Sequence, residues 1–139
     1  MLACFVLSLV FVPIITYADL SATDIKPSYE SIMPLWLNFE MLSADMTINN
    51  GRAEMSGFII GNVGTTSITV NAVLERINPN GTATRIDSWS NLRVNSDIWT
   101  WERAHMVARG HEYRLTLNAV AVRNGVSEST SVSRAVWAN

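Results

Sequence analysis

Glu112-Tyr113-Arg114-Leu115-Thr116-Leu117-Asn118-Ala119-Val120-Ala121-Val122 is the stretch that decides the fold. Tyr113, Leu115, Leu117, Ala119 and Ala121 share one parity, with Arg114, Thr116 and Asn118 on the other. A period of two sets one face of a strand in a core and leaves the other in water. Asn124-Gly125 follows after Arg123, and both residues tolerate the positive φ of a two-residue hairpin. The strand therefore turns back at once into another, over 126–137, whose polar composition and Arg134 between Val132 and Val136 suit a sheet edge.

The same grammar runs back toward the N-terminus. Residues 66–77 place Ile68, Val70, Ala72 and Leu74 on one face, and Asn78-Pro79-Asn80-Gly81 turns the chain into 82–89, with Ile86 inward. Residues 35–48 carry Leu35, Leu37, Phe39 and Met41 on one parity, then Leu42, Ala44, Met46 and Ile48 on the other. That switch predicts a bulge or kink near Met41. Asn49-Asn50-Gly51 leads into 52–60, where Ala53 and Met55 face inward and Gly57 is expected to disturb the alternation. Residues 61–64 and 90–97 read as loops. Strand 98–108 puts Trp99, Trp101 and Val107 on one parity and Ile98, Ala104 and Met106 on the other, with its inner face left open.

Seven strands at this spacing, without any sustained helical period, predict an all-β, antiparallel, immunoglobulin- or fibronectin-like β-sandwich, with a small β-barrel as the alternative. The segment from Val107 through Gly110 and Tyr113 to Ala119 resembles the sixth-strand region of fibronectin type III domains. The resemblance implies a structural corner at Gly110 and Tyr113, with the ring in the core and the hydroxyl on a nearby backbone group. Arg109 stands where that family often has proline. More widely, residues 34–137 resemble a family of small secreted proteins of Gram-positive bacteria. The features shared are Pro34-Leu35-Trp36, Gly51-Arg52-Ala53 leading to Gly57, Leu74-Glu75-Arg76, Ile86-Asp87-Ser88-Trp89 and the segment from Gly110 to Leu115. That resemblance implies a bacterial, extracellular protein and brings no activity with it.

Residues 1–18 are uncharged, apolar from Leu2 to Ile15 apart from Ser8, and end in Thr16-Tyr17-Ala18. They read as a secretory signal cleaved before Asp19, although no basic residue precedes the apolar run. The run is shorter than the roughly 20 residues of a spanning helix, so no stable membrane span is expected after cleavage. An uncleaved N-terminal anchor is the alternative location. Cys4 precedes most of the apolar run, where a lipid-bearing cysteine would follow it. Residues 19–34 form an extended lead-in, and 35–137 the domain.

The chain has 139 residues and a formal charge of −2, with ten basic residues, nine of them arginine, scattered singly. That length suits one domain, and the balance gives no electrostatic case for nucleic acid. Cys4 is the sole cysteine, which excludes an internal disulfide framework. His105 and His111 have only Glu102 and Glu112 nearby in sequence, so an exposed turn and a strand position suit them better than a metal site. Asp87 and Glu102 could meet in space as a carboxylate pair, which would support a small secreted hydrolase. No Gly-x-Ser-x-Gly elbow occurs, and Asn80-Gly81-Thr82 reads as a tight turn before it reads as a glycosylation acceptor.

Five tryptophans stand out: Trp36, Trp89, Trp99, Trp101 and Trp137. Trp89, Trp99 and Trp101 are candidate ligand-binding residues, because exposed indole faces stack on sugars. The competing reading buries Trp99 and Trp101 together in the core, with Trp36 and Trp137 sealing the rims. No cofactor and no metal are expected. The function that emerges is a secreted, non-enzymatic module at the cell surface or envelope, binding a cell-wall or extracellular glycan or a surface protein. A carbohydrate-binding module and a small secreted hydrolase are the alternatives.

Overall fold

A computed structural model describes residues 36–139. The predicted signal sequence, the lead-in and Leu35 lie outside the described residues. Seven strands follow one another: β1 (Phe39–Asn49), β2 (Arg52–Gly61), β3 (Thr65–Ile77), β4 (Ala83–Val94), β5 (Ile98–Met106), β6 (His111–Arg123) and β7 (Val126–Ala138). All pairings are antiparallel, in two sheets of order β1-β2-β5 and β4-β3-β6-β7. The sheets do not join into a barrel. Relative to a constant-type immunoglobulin domain, the fourth strand has moved beside the third, leaving a three-on-four β-sandwich.

The core lies where the inward parities of the two sheets meet. Ile68, Val70, Ala72 and Leu74 of β3 and Leu115, Leu117, Ala119 and Ala121 of β6 are fully buried, as their alternation requires. From the opposite sheet come Met46, Ala53, Met55, Ile59, Trp99 and Trp101. Both Asn-Gly hairpins form, with Asn50 at φ 51° and Gly51 at 75°, and Asn124 at 50° and Gly125 at 76°. At the third turn, Asn80 Oδ1 accepts from the backbone N–H and hydroxyl of Thr82, at 3.0 and 2.7 Å.

The predicted parity switch is a bulge at Glu40, since Phe39 pairs Gly61 while Met41 pairs Ile60. Of the first parity set, Phe39 is buried, whereas Leu37 and Met41 are exposed. The strand begins only at Phe39, and Asn38 takes the inward place ahead of it. Asn38 is 4% exposed, and its amide donates to the carbonyls of Ala121 and Val126 at 3.1 and 3.0 Å. The Glu128 carboxylate in turn accepts the backbone N–H groups of Leu37 and Asn38. This polar clasp ties the start of β1 to the β6–β7 hairpin. It joins residues some 90 positions apart in sequence, which local pattern cannot reveal.

Two further expectations are corrected. Gly57 does not disturb β2, because positions 53, 55, 57 and 59 are all buried in sequence. Residues 90–94 are strand and not loop: β4 continues to Val94 through a register shift at Asn91, whose φ is 57°. Asparagine adopts that left-handed conformation more readily than most residues, and the Asn71 side chain accepts its N–H at 2.8 Å. Leu92 and Val94 beyond the shift pack on the core.

The corner is present. Tyr113 is 2% exposed and its hydroxyl donates to the Ala108 carbonyl at 3.0 Å, across the turn at Gly110, where φ is 76°. Tyr113→Phe keeps the packing and deletes this bond. The expected cost is about 0.5–1.5 kcal/mol if the Ala108 carbonyl reaches water, rising to about 3 kcal/mol if it stays buried. A denaturant titration measures it. An unchanged midpoint would mean that the corner contributes nothing to this sandwich.

Candidate functional site

The two sides of the sandwich are closed differently. On the β1–β7 side, the Asn38–Glu128 clasp and a long Asp45–Arg134 pair, at 3.8 Å, bridge the sheets. Arg134 is the expected interruption of the apolar parity of β7. An inward-parity charge of that kind discourages edge pairing.

The β4–β5 side is lined by tryptophan. Trp99 and Trp101 lie on the inward parity of β5, which settles the face left open by the sequence. They are 2% and 7% exposed, with ring centroids 6.4 Å apart and planes 17° from parallel. Trp89, on β4, meets Trp101 edge-on at 5.2 Å. Trp99 Nε1 donates to the Leu92 carbonyl at 3.0 Å, so β5 is pinned to β4 across the sandwich. Gly57 makes the pair possible: a Cβ there would stand 2.7 Å from both Trp99 Cζ3 and Leu117 Cδ1. The glycine therefore serves close packing and not a turn.

Trp99 and Trp101 do not form the exposed platform that sugar stacking needs, because both faces of the pair are inside the sandwich. Trp89 is half-buried at its edge. Trp36 packs edge-on against Phe39 at 6.5 Å and covers a rim, while Trp137 is 55% exposed on β7. The Trp101 indole N–H is buried without a hydrogen-bond partner among the described residues.

Below the tryptophans, His105 Nδ1 lies 3.3 Å from Asp87 Oδ2, with both side chains about one-third exposed. Asp87 therefore meets His105 and not Glu102. The reason is parity, since Glu102 stands between Trp101 and Arg103 and faces outward opposite Ser56. The carboxylate pair contemplated for a hydrolase does not assemble. His111 packs edge-on against Tyr113 at 6.5 Å. Among the described residues no three His, Cys, Asp or Glu come together as metal ligands.

What this flank offers is backbone. In an antiparallel ladder only alternate residues bond a given neighbour. Val107 N–H donates to the Gly51 carbonyl and Gly61 N–H to that of Asp97, so the odd-numbered residues of β5 are those bonded to β2. Ile98, Thr100, Glu102, Ala104 and Met106 direct their N–H and C=O groups off the free edge. Two of these are covered locally: Ile98 N–H by the Ser96 hydroxyl at 3.2 Å, and the Glu102 carbonyl by Arg103 Nη1 at 2.9 Å. Sequence reading missed this edge because hydrogen-bond phase depends on strand order.

No family model and no curated protein matches the chain. A solved structure does. The chain is similar to CsgH of R. palustris, determined in solution, at 11% identity with a TM-score of 0.37, over 66% of this chain and 89% of that one.

β5 is also a lightly defended edge. Its nine pairs with β2 run without a register shift, and it contains no proline. β4 has shifts at two places and β1 has one at Glu40. β7 carries Arg134 on its inward parity. Bulges, prolines and inward charges are the usual protections of an edge, and β5 has only Arg103 and His105 toward its C-terminal end.

Proposed function

We propose that this is a secreted, non-enzymatic bacterial module that engages an extended polypeptide at the cell surface by adding a strand to the β5 edge. The observation that carries this is the alternation of bonded and free backbone along β5, on a strand held rigid by the buried Trp99–Trp101 pair. Strand addition takes affinity from main-chain hydrogen bonds and specificity from alternate side chains. Placement outside the cell is supported by the uncharged apolar run before Asp19 and by the resemblance to small secreted proteins of Gram-positive bacteria. A carbohydrate-binding role would leave Trp89 as the one half-exposed indole of its three candidates, which is a poor stacking surface.

The test is binding of the labelled full chain to intact cells that produce it, comparing the parent with Thr100→Pro. Proline removes an N–H that faces off the free edge, a position where strands tolerate it, so the β2–β5 ladder is retained. Protease treatment of the cells should abolish binding, and Thr100→Pro should lose it. Binding that survives both, but is removed by glycan hydrolases, would overturn the proposal in favour of carbohydrate recognition.

A further inference from the structure

We infer that the strand taken up by β5 is β5 of a second copy, paired antiparallel about Trp101. This rests on β5 being the binding edge, and charge selects both partner and register. Three registers centred on a residue leave no more than the last two residues at one end of the strand unopposed. In all three the residues with free backbone groups meet one another, so hydrogen-bond phase permits each of them.

Centred on Glu102, the pairing sets Glu102 directly opposite Glu102 of the second copy. Centred on Arg103, it sets two arginines opposite each other. Like charges in those positions destabilise a sheet. Centred on Trp101, Thr100 faces Glu102, Trp99 faces Arg103, Ile98 faces Ala104 and Asp97 faces His105 of the second copy. No like charges meet, Asp97 gains an imidazole, and Ile98, half-exposed in the single chain, gains an apolar neighbour. In this register the Glu102 carbonyl accepts from Thr100 of the second copy, so Arg103 turns away from it. Arg103 is an exposed side chain on a flexible stem and can make that move. The product is a continuous six-stranded sheet of order β1-β2-β5-β5-β2-β1 with a two-fold axis at Trp101.

The register gives a specific test on the full chain. Directly opposed, hydrogen-bonded residues have Cα atoms about 5.5 Å apart, within disulfide range. Under mild oxidation and on a Cys4→Ser background, the double variant Ile98→Cys/Ala104→Cys, which keeps Glu102 and Arg103, should yield an interchain cross-link, whereas Thr100→Cys/Ala104→Cys, opposed when the pairing is centred on Glu102, should not. Sedimentation should show a concentration-dependent dimer for the parent and a monomer for Thr100→Pro of unchanged circular dichroism. Cross-linking by Thr100→Cys/Ala104→Cys in place of Ile98→Cys/Ala104→Cys would overturn the register. A parent that stays monomeric at every concentration, with no cross-link in either double variant, would overturn self-pairing. If that monomer still bound cells through a protease-sensitive, Thr100→Pro-sensitive contact, the strand-addition function would stand and only the second copy would fall.

Discussion

Trp99→Ala is expected to cost about 3–5 kcal/mol of folding stability, the range for removing a large buried aromatic. Several losses combine at this one position. The ring leaves a void between Gly57, Leu117 and Trp101, and the glycine has no side chain with which to fill it. The Leu92 carbonyl loses its indole donor, which unpins the distal part of β4 from β5. A denaturant titration followed by tryptophan fluorescence reads the midpoint. A shift equivalent to less than about 1 kcal/mol would show that Trp99 is not packed in the core, and would return it to the exposed platform of a sugar-binding site.

Leu117→Ala, on one of the two central strands of the four-stranded sheet, is expected to destabilise by about 2–5 kcal/mol. Leu117 is fully buried and sits between Ala72 of β3 and Val132 of β7 in the sheet, facing Gly57 across the core. Neighbours that small leave little to collapse into the vacated volume, which places the cost in the upper part of the range. Thr116→Ala, one residue away on the outward face, should cost within about 0.5 kcal/mol, as surface changes commonly do. Equal losses in the two variants would mean that the outer face of β6 is covered as well.

Those two contrasting neighbours show what was legible beforehand. β3 and β6 are central strands with one dry and one wet face, so composition alternates and the sequence pattern determines both position and direction. The Asn-Gly turns were equally plain, because few residues accept two successive positive φ values. The alternation of β4 breaks after Trp89, and only the pairing with β3 shows the strand resuming at Leu92. β5 could not be oriented because its two faces are both rich in large side chains: Trp99 and Trp101 on one, Ile98 and Met106 on the other. What decides between them is Gly57, forty residues earlier, which opens space on one side only. The Asn38–Glu128 clasp and the Asp87–His105 pair were invisible for the same reason. Each joins positions that become neighbours only after the sheets have stacked.

For the candidate site, the sequence supplied the tryptophans and left two roles open for them, a stacking face and a core pair. An aromatic cluster looks the same in one dimension whether it faces solvent or a facing sheet. The feature put forward for function, an edge with half of its backbone groups free, has no sequence signature, because it depends on which strand ends up outermost.

Residue-resolved amide exchange along β5 in dilute solution tests that feature most directly. The amides of Trp99, Trp101, Arg103 and His105, bonded to β2, should exchange slowly, while those of Thr100, Glu102, Ala104 and Met106 exchange fast. Raising the protein concentration should then protect Thr100, Glu102 and Ala104. Uniform protection of all nine residues in the dilute chain, or fast exchange of the free set at every concentration and on bound cells alike, would contradict a β5 edge that works by pairing.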